Sequence, residues 1–316
     1  MDGRGIANDD QGAGSVHRTD DSTTENHPMR PRIAADWRAI FWVFGLMPGA
    51  AVAQYVFPAL AGWMLPVSMY LGYAAGVLAH NHNHTRVFEG RRMNAVHASM
   101  LSFFYGYPTF GWIPTHNENH HRYVNKAGDA TATWRHTRRN TAWTAFAYFF
   151  YSAVWQGPAI AGYLARVRRR STRAWLWLLG QYVLVFGGHL AALALAVRLH
   201  GPKTGALVYF SALGIPAAGA LWGLMFTNYV QHVDCDENSK WNHSRNFVSG
   251  WMNFLVFDNG FHTVHHQRAN LHWSHARAAH AEVAHEIDPR LNENDIASYC
   301  WKTYVMGRPP AVAVDA

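Results

Sequence analysis

Gly260-Phe261-His262-Thr263-Val264-His265-His266 places three imidazoles within five positions. On a helix, residues three and four apart share a face, so His262, His265 and His266 can converge on one point. Neutral imidazole is the commonest nitrogen ligand for transition metals, and the grouping reads first as a metal site. Two clusters of the same kind lie upstream, His80-Asn81-His82-Asn83-His84 and His116-Asn117-Glu118-Asn119-His120-His121. The rest of the chain reads as the scaffold that brings the three together.

Working outward, the composition is that of a membrane protein. Only 15% of the 316 residues are charged, 14% are aromatic, and there are 14 Trp and 21 His. Such aromatic content suits interfacial belts better than a soluble domain. Cys235 and Cys300 match no metal-ribbon spacing and supply no disulfide framework. A formal charge of +7 suits contact with anionic lipid. Nucleic acid is not expected as a partner, because no groove-reading motif accompanies the basic residues.

Residues 1–35 carry almost no large apolar side chain and are expected to be a disordered tail. Between Ala39 and Ala79 there is no charged residue, enough for two crossings at roughly 20 residues each. A turn near Pro58 makes this a helical hairpin whose second arm delivers His80 at the membrane surface. Ala174–Val197 and Thr204–Val233 form a second hairpin around His200-Gly201-Pro202-Lys203. If the His clusters meet, an even number of crossings separates them, so the apolar stretches 95–114 and 141–164 are expected to lie in the interface or to re-enter. Ten Lys and Arg residues between Arg122 and Arg173 put the His-rich side in the cytoplasm by the positive-inside rule. The expected architecture is all-α: four spans, interfacial helices and a cytoplasmic His-rich cap over 36–290, followed by a C-terminal tail, 291–316.

In the first cluster His80 and His84 share a face, while His82 points elsewhere and is expected at the surface or behind the ligands. In the second, His116 and His120 share a face with His121 slightly round the helix, and Glu118 is expected to be solvated. Asn228 and His232, four apart at the end of a span, look into the same place. Eight imidazoles from three boxes plus His232 are too many for one ion and about right for two. A donor set almost wholly of neutral nitrogen suggests two irons poised for oxygen chemistry.

The order H-x3-H, H-x3-H-H, N-x3-H, H-x2-H-H between two apolar hairpins resembles the membrane fatty acid desaturase and hydroxylase superfamily over roughly residues 37–285. The resemblance implies a di-iron centre ligated by His80, His84, His116, His120, His121, His232, His262, His265 and His266, with Asn228 approaching one iron through water. It implies O2 as co-substrate, an acyl lipid or thioester as substrate, and the removal of two hydrogens from a methylene pair. With no haem segment and no nucleotide fingerprint in the chain, electrons are expected from a separate ferredoxin-like protein. A hydroxylase or a terminal-alkene-forming decarboxylase shares these ligands. A carotenoid oxygenase and a metal transporter are the more distant readings. Trp222, Phe226 and Tyr229 are weighed as channel lining against simple packing. Asp234, Asp236, Glu237 and Asp258 are weighed as carboxylates behind the ligands, and His272, His275, His280 and His285 as a cap. The run Arg166–Arg173 is read as an interfacial anchor, with an acidic head group as the alternative.

Overall fold

The computed structural model describes residues 29–307. The expected N-terminal tail lies outside the described residues up to position 28. Its last residues are not loose, since the Arg32 N–H donates to the Val87 carbonyl at 2.8 Å. The chain is almost entirely helical. Among the described residues the only strands are Asn246–Phe247 and Asn292–Glu293, paired in parallel.

Helix α1 (Asp36–Val56) and the segment Thr172–His232 are long and apolar enough to cross a membrane. The second would be about 90 Å as one helix, three times a bilayer's apolar thickness. It is broken at Gly201, whose φ of 77° ends the first arm, and Pro202 begins the next. This is the usual placement of Gly after a helix and Pro in a first turn. We therefore treat it as α6 (172–200) and α7 (202–232). Gly205 seals the bend, because a Cβ there would stand 2.5 Å from the Ala196 carbonyl. His189 Nδ1 lies 3.1 Å from the Tyr209 hydroxyl across the hairpin, so the arms run antiparallel. Phe186, Leu190, Leu195 and Leu199 are exposed along α6, a surface that water would not tolerate. Such a surface suits contact with a membrane.

Helix α2 (Leu65–His84) returns from α1. At the ends remote from the histidine boxes the two hairpins are stitched by polar contacts. Gln54 donates to Ser68 Oγ at 2.9 Å and accepts from Ser211 Oγ at 2.8 Å, and the His200 ring meets the Tyr55 carbonyl at 2.8 Å. From that common end α2 and α7 run parallel in close contact. A Cβ at Gly72 would sit 2.8 Å from the Pro216 carbonyl oxygen, and Tyr73 Oη lies 2.7 Å from Thr227 Oγ1. Gly72→Val should therefore force the two histidine-bearing helices apart. The expected cost is about 1–3 kcal/mol, the usual range for overpacking, read as a lower thermal midpoint in detergent.

The stretches expected to avoid crossing form α3 (Arg91–Tyr105), a short π-helical α4 over 113–123, and α5 (Ala142–Arg170). Helix α5 is opened by a capping box at Thr141. Its Tyr148 packs on Tyr229 of α7 at 5.0 Å, while Trp143, Phe150 and Val154 stay exposed. Beyond α7 come α8 (Gly250–Leu255), α9 (His262–Gln267), α10 (Ala276–Val283) and α11 (Ile296–Cys300). The expected boundary at 290 does not separate a free tail within the described residues. Leu291 is fully buried, Glu293 pairs with Phe247, and Tyr299 joins the core around Val230 and Phe247.

Candidate metal centre

Parallel α2 and α7 end side by side, and α4 and α9 pack across their ends. This brings all nine sequence-predicted histidines together as two sets: His80, His84, His116, His121 and His265, and His120, His232, His262 and His266. Within each set the ring nitrogens lie within 4.8 Å of one another. Two nitrogens facing each other across one ion at about 2.1 Å would be ~4.2 Å apart, so each set has the dimensions of a single coordination shell.

The contacts within the sets suit a bound cation. His80 Nε2 lies 2.8 Å from His116 Nε2 and 3.1 Å from His265 Nε2. His121 Nε2 lies 3.0 and 2.9 Å from the same two, which are 3.3 Å apart. His80 Nδ1 faces the Asn81 side-chain oxygen at 3.1 Å, which fixes its proton there and leaves Nε2 a bare lone pair. Three remaining rings with one N–H each cannot satisfy five such contacts. In the second set His232, His262 and His266 form a triangle of Nε2 atoms 2.9 to 3.1 Å apart. His232 has its Nδ1 facing the His243 carbonyl at 3.1 Å. Nε2 of His84 and of His120 are buried with no protein partner. Lone pairs converging in a dry pocket are repulsive unless a positive ion sits among them.

Burial favours the neutral, metal-ready form of several of these rings. It pushes His116, His262, His265 and His266 well below the usual imidazole range, with neighbouring histidines adding to the effect. His121 is lowered by burial and then His84 to about 2.

Which histidines pair with which departs from the helical-face reading. His116 and His120 were expected on one face, but Ile113–His120 is π-helical. Its i→i+5 bonding stacks residues five apart, so His116 joins His121 and His120 turns to the other set. The third box likewise does not converge on one point: His262 and His266 serve one set, and His265 the other. His82 is not at the surface but fully buried on the opposite face of α2, beside His97 at 4.8 Å.

The carboxylate behind the ligands is one that sequence reading missed. Asp129 accepts from His120 Nδ1 at 2.7 Å and from Thr131 N and Asn125 N, each at 2.7 Å. Burial raises its pKa, but His120 and these hydrogen bonds outweigh that and hold it well below the usual carboxylate range. The loop that carries it turns through left-handed Val124 and Asn125, conformations costly for a β-branched residue and typical of functional loops. The acids expected in this role lie elsewhere: Asp234 accepts from Asn140 at 2.6 Å, Asp236 from its own loop, Asp258 from Arg277, and Glu237 has no contact with a ligand ring. Glu118, half-exposed, pairs with Arg166. Among the expected cap residues, His272 joins Asp36 at 3.0 Å and His280 packs on Phe261, while His275 and His285 are exposed.

A cavity of about 80 Å³ touches both sets, being lined by His116 and His120 together with Tyr105, Trp112, Leu224 and Asn228. Trp222, Phe226 and Tyr229 are absent from its wall. Trp222 stacks on Phe226 and donates to the Phe146 carbonyl, and Tyr229 is core, so these three are packing.

The profile of the family described as Fatty acid desaturase matches residues 53–294. The chain belongs to the fatty acid desaturase family. The matched span contains every histidine of both sets, from His80 on α2 to His266 on α9. Membership makes this desaturase-family chain an oxidoreductase of desaturase or hydroxylase type acting on an acyl substrate. Comparison with curated proteins and with solved structures gave no significant match.

Proposed function

We propose that the protein is an O2-dependent di-iron acyl desaturase. In this reading α1, α2, α6 and α7 cross the bilayer as two hairpins, and the histidines lie on the cytoplasmic side beside the Arg-rich segment 122–173. The observation that carries the reading is the division of nine imidazoles into five and four, each set the size of one ion's shell, within a desaturase-family chain. Two bound irons would supply the redox chemistry that lets O2 remove hydrogen from an unactivated methylene.

The protein's own residues do the rest. His80, His84, His116, His121 and His265 are assigned to one iron, and His120, His232, His262 and His266 to the other. Asn228 lines the cavity while donating to the Tyr148 hydroxyl at 3.0 Å, and we assign it contact with one iron through water. Tyr105, Trp112 and Leu224 give the cavity an apolar wall that excludes bulk water from the reacting carbon. A segment of acyl chain entering there would meet ligands of both irons at once. Electrons are assigned to a separate ferredoxin-like donor.

Turnover of an acyl substrate under 18O2, followed by mass spectrometry, tests the reaction. A product lacking two hydrogens and carrying no label is expected. A labelled alcohol would assign hydroxylation, and a hydrocarbon one carbon shorter would assign decarboxylation. Asp129→Ala should release the His120 Nδ1–H from its anchor and weaken metal retention about 10- to 100-fold, the usual cost of losing such a support, as read by chelator competition.

A further inference from the structure

A second, larger cavity, of about 500 Å³, lies between α3 and the early turns of α6 and shares no lining residue with the metal-centre cavity. Arg32, Arg86 and Arg91 line it, with Glu89 as the one acidic residue. None of the three arginines has a carboxylate within ion-pair distance among the described residues. Their proximity is built by backbone: Glu89 N–H donates to the Arg30 carbonyl at 3.3 Å and Arg32 N–H to Val87 at 2.8 Å. Arg32 Nε also donates to the Phe88 carbonyl at 3.2 Å. Burial and the adjacent Arg32 charge both lower the Arg86 pKa. Guanidinium groups that share one cavity repel one another, and Glu89 can offset only one of the three positive charges.

The rest of the lining is mixed: Ala98 of α3 with Trp177 and Leu178 of α6 make an apolar part, beside the polar Gln181, and α6 belongs to the segment apolar enough to cross a membrane. A soluble anion would neutralise the arginines and leave that apolar part wet. A molecule with an anionic head and an acyl tail satisfies both ends, and guanidinium groups match phosphate oxygens in pairs.

We propose that this crevice binds one anionic phospholipid, its phosphate on Arg32, Arg86 and Arg91 and a tail along Ala98, Trp177 and Leu178. The full chain, reconstituted with equal phosphatidylglycerol and phosphatidylcholine and then extracted into mild detergent, tests this by native mass spectrometry. One phosphatidylglycerol per chain should be retained, and phosphatidylcholine should not. Each arginine near the surface is worth about five-fold, so the triple variant R32Q/R86Q/R91Q should retain about 100-fold less. Arg290, exposed and paired with Asp288, does not line the crevice, and Arg290→Gln should retain the lipid as the unaltered chain does. Ala98→Trp, which fills the tail side and leaves every charge in place, should also lower retention. It keeps the question answerable if the triple arginine variant fails to fold. Equal retention of both lipids, full retention by the crevice variants, or equal loss from the control variant would overturn the proposal. The readout needs no turnover, so it stands apart from the oxidation chemistry.

Discussion

His265→Ala is expected to remove at least one of about two irons per chain and to lower activity by well over 100-fold, more than the loss of a supporting residue costs a metal site. The side chain is central to its set, with Nε2 within 3.3 Å of His80, His116 and His121. It is carried on the short helix α9, outside the apolar hairpins. The variant should therefore insert and fold, with normal helical content, while its metal content falls. His275→Ala, at an exposed position on the same side, should keep both irons and full activity. Metal analysis and activity measured on the two variants side by side check this.

The second large effect is acid sensitivity of the metal-free protein. His116, His121, His262, His265 and His266 all have folded-state pKa values below the unfolded value of about 6.5. Above that value both states are neutral and the histidines add no pH dependence. As pH falls below it, the unfolded chain takes up protons that the folded chain refuses. Stability should then drop by as much as ~1.4 kcal/mol per histidine per pH unit. A sharp fall in the thermal midpoint of the metal-free protein is expected between about pH 6.5 and 5. Bound metal, which also holds the rings neutral, should shift the fall to lower pH. A midpoint that stays flat from pH 7 to 5 would show that these rings are not buried as described.

The residue types and spacings of the histidine boxes were sufficient to pick out all nine histidines, because imidazoles three to five apart are a local pattern. How they divide was not legible. A single π-helical stretch, Ile113–His120, rotates His121 onto the face of His116, and no propensity in Pro114-Thr115-His116-Asn117 announces that pitch. The two apolar hairpins were legible from uncharged length, and the Gly201-Pro202 bend from turn chemistry. Asp129 escaped notice because its approach to His120 depends on the left-handed turn at Val124 and Asn125, a tertiary arrangement. The docking of residues 291–307 escaped for the same reason: the parallel pairing of Asn246–Phe247 with Asn292–Glu293 joins segments too far apart, and too short, to leave a periodic signal.

The same local pattern that revealed His80 and His84 also misplaced His82. Helical rotation correctly turned it away from the ligands, but exposure depends on what packs there, and α3 brings His97 against it. Helix faces follow from sequence, whereas what covers a face follows from the fold.

The most direct measurement is anomalous scattering at the iron edge from crystals of the iron-loaded protein. Two peaks are predicted, one among His80, His84, His116, His121 and His265 and the other among His120, His232, His262 and His266. A single peak, or iron bound away from these two sets, would contradict the account.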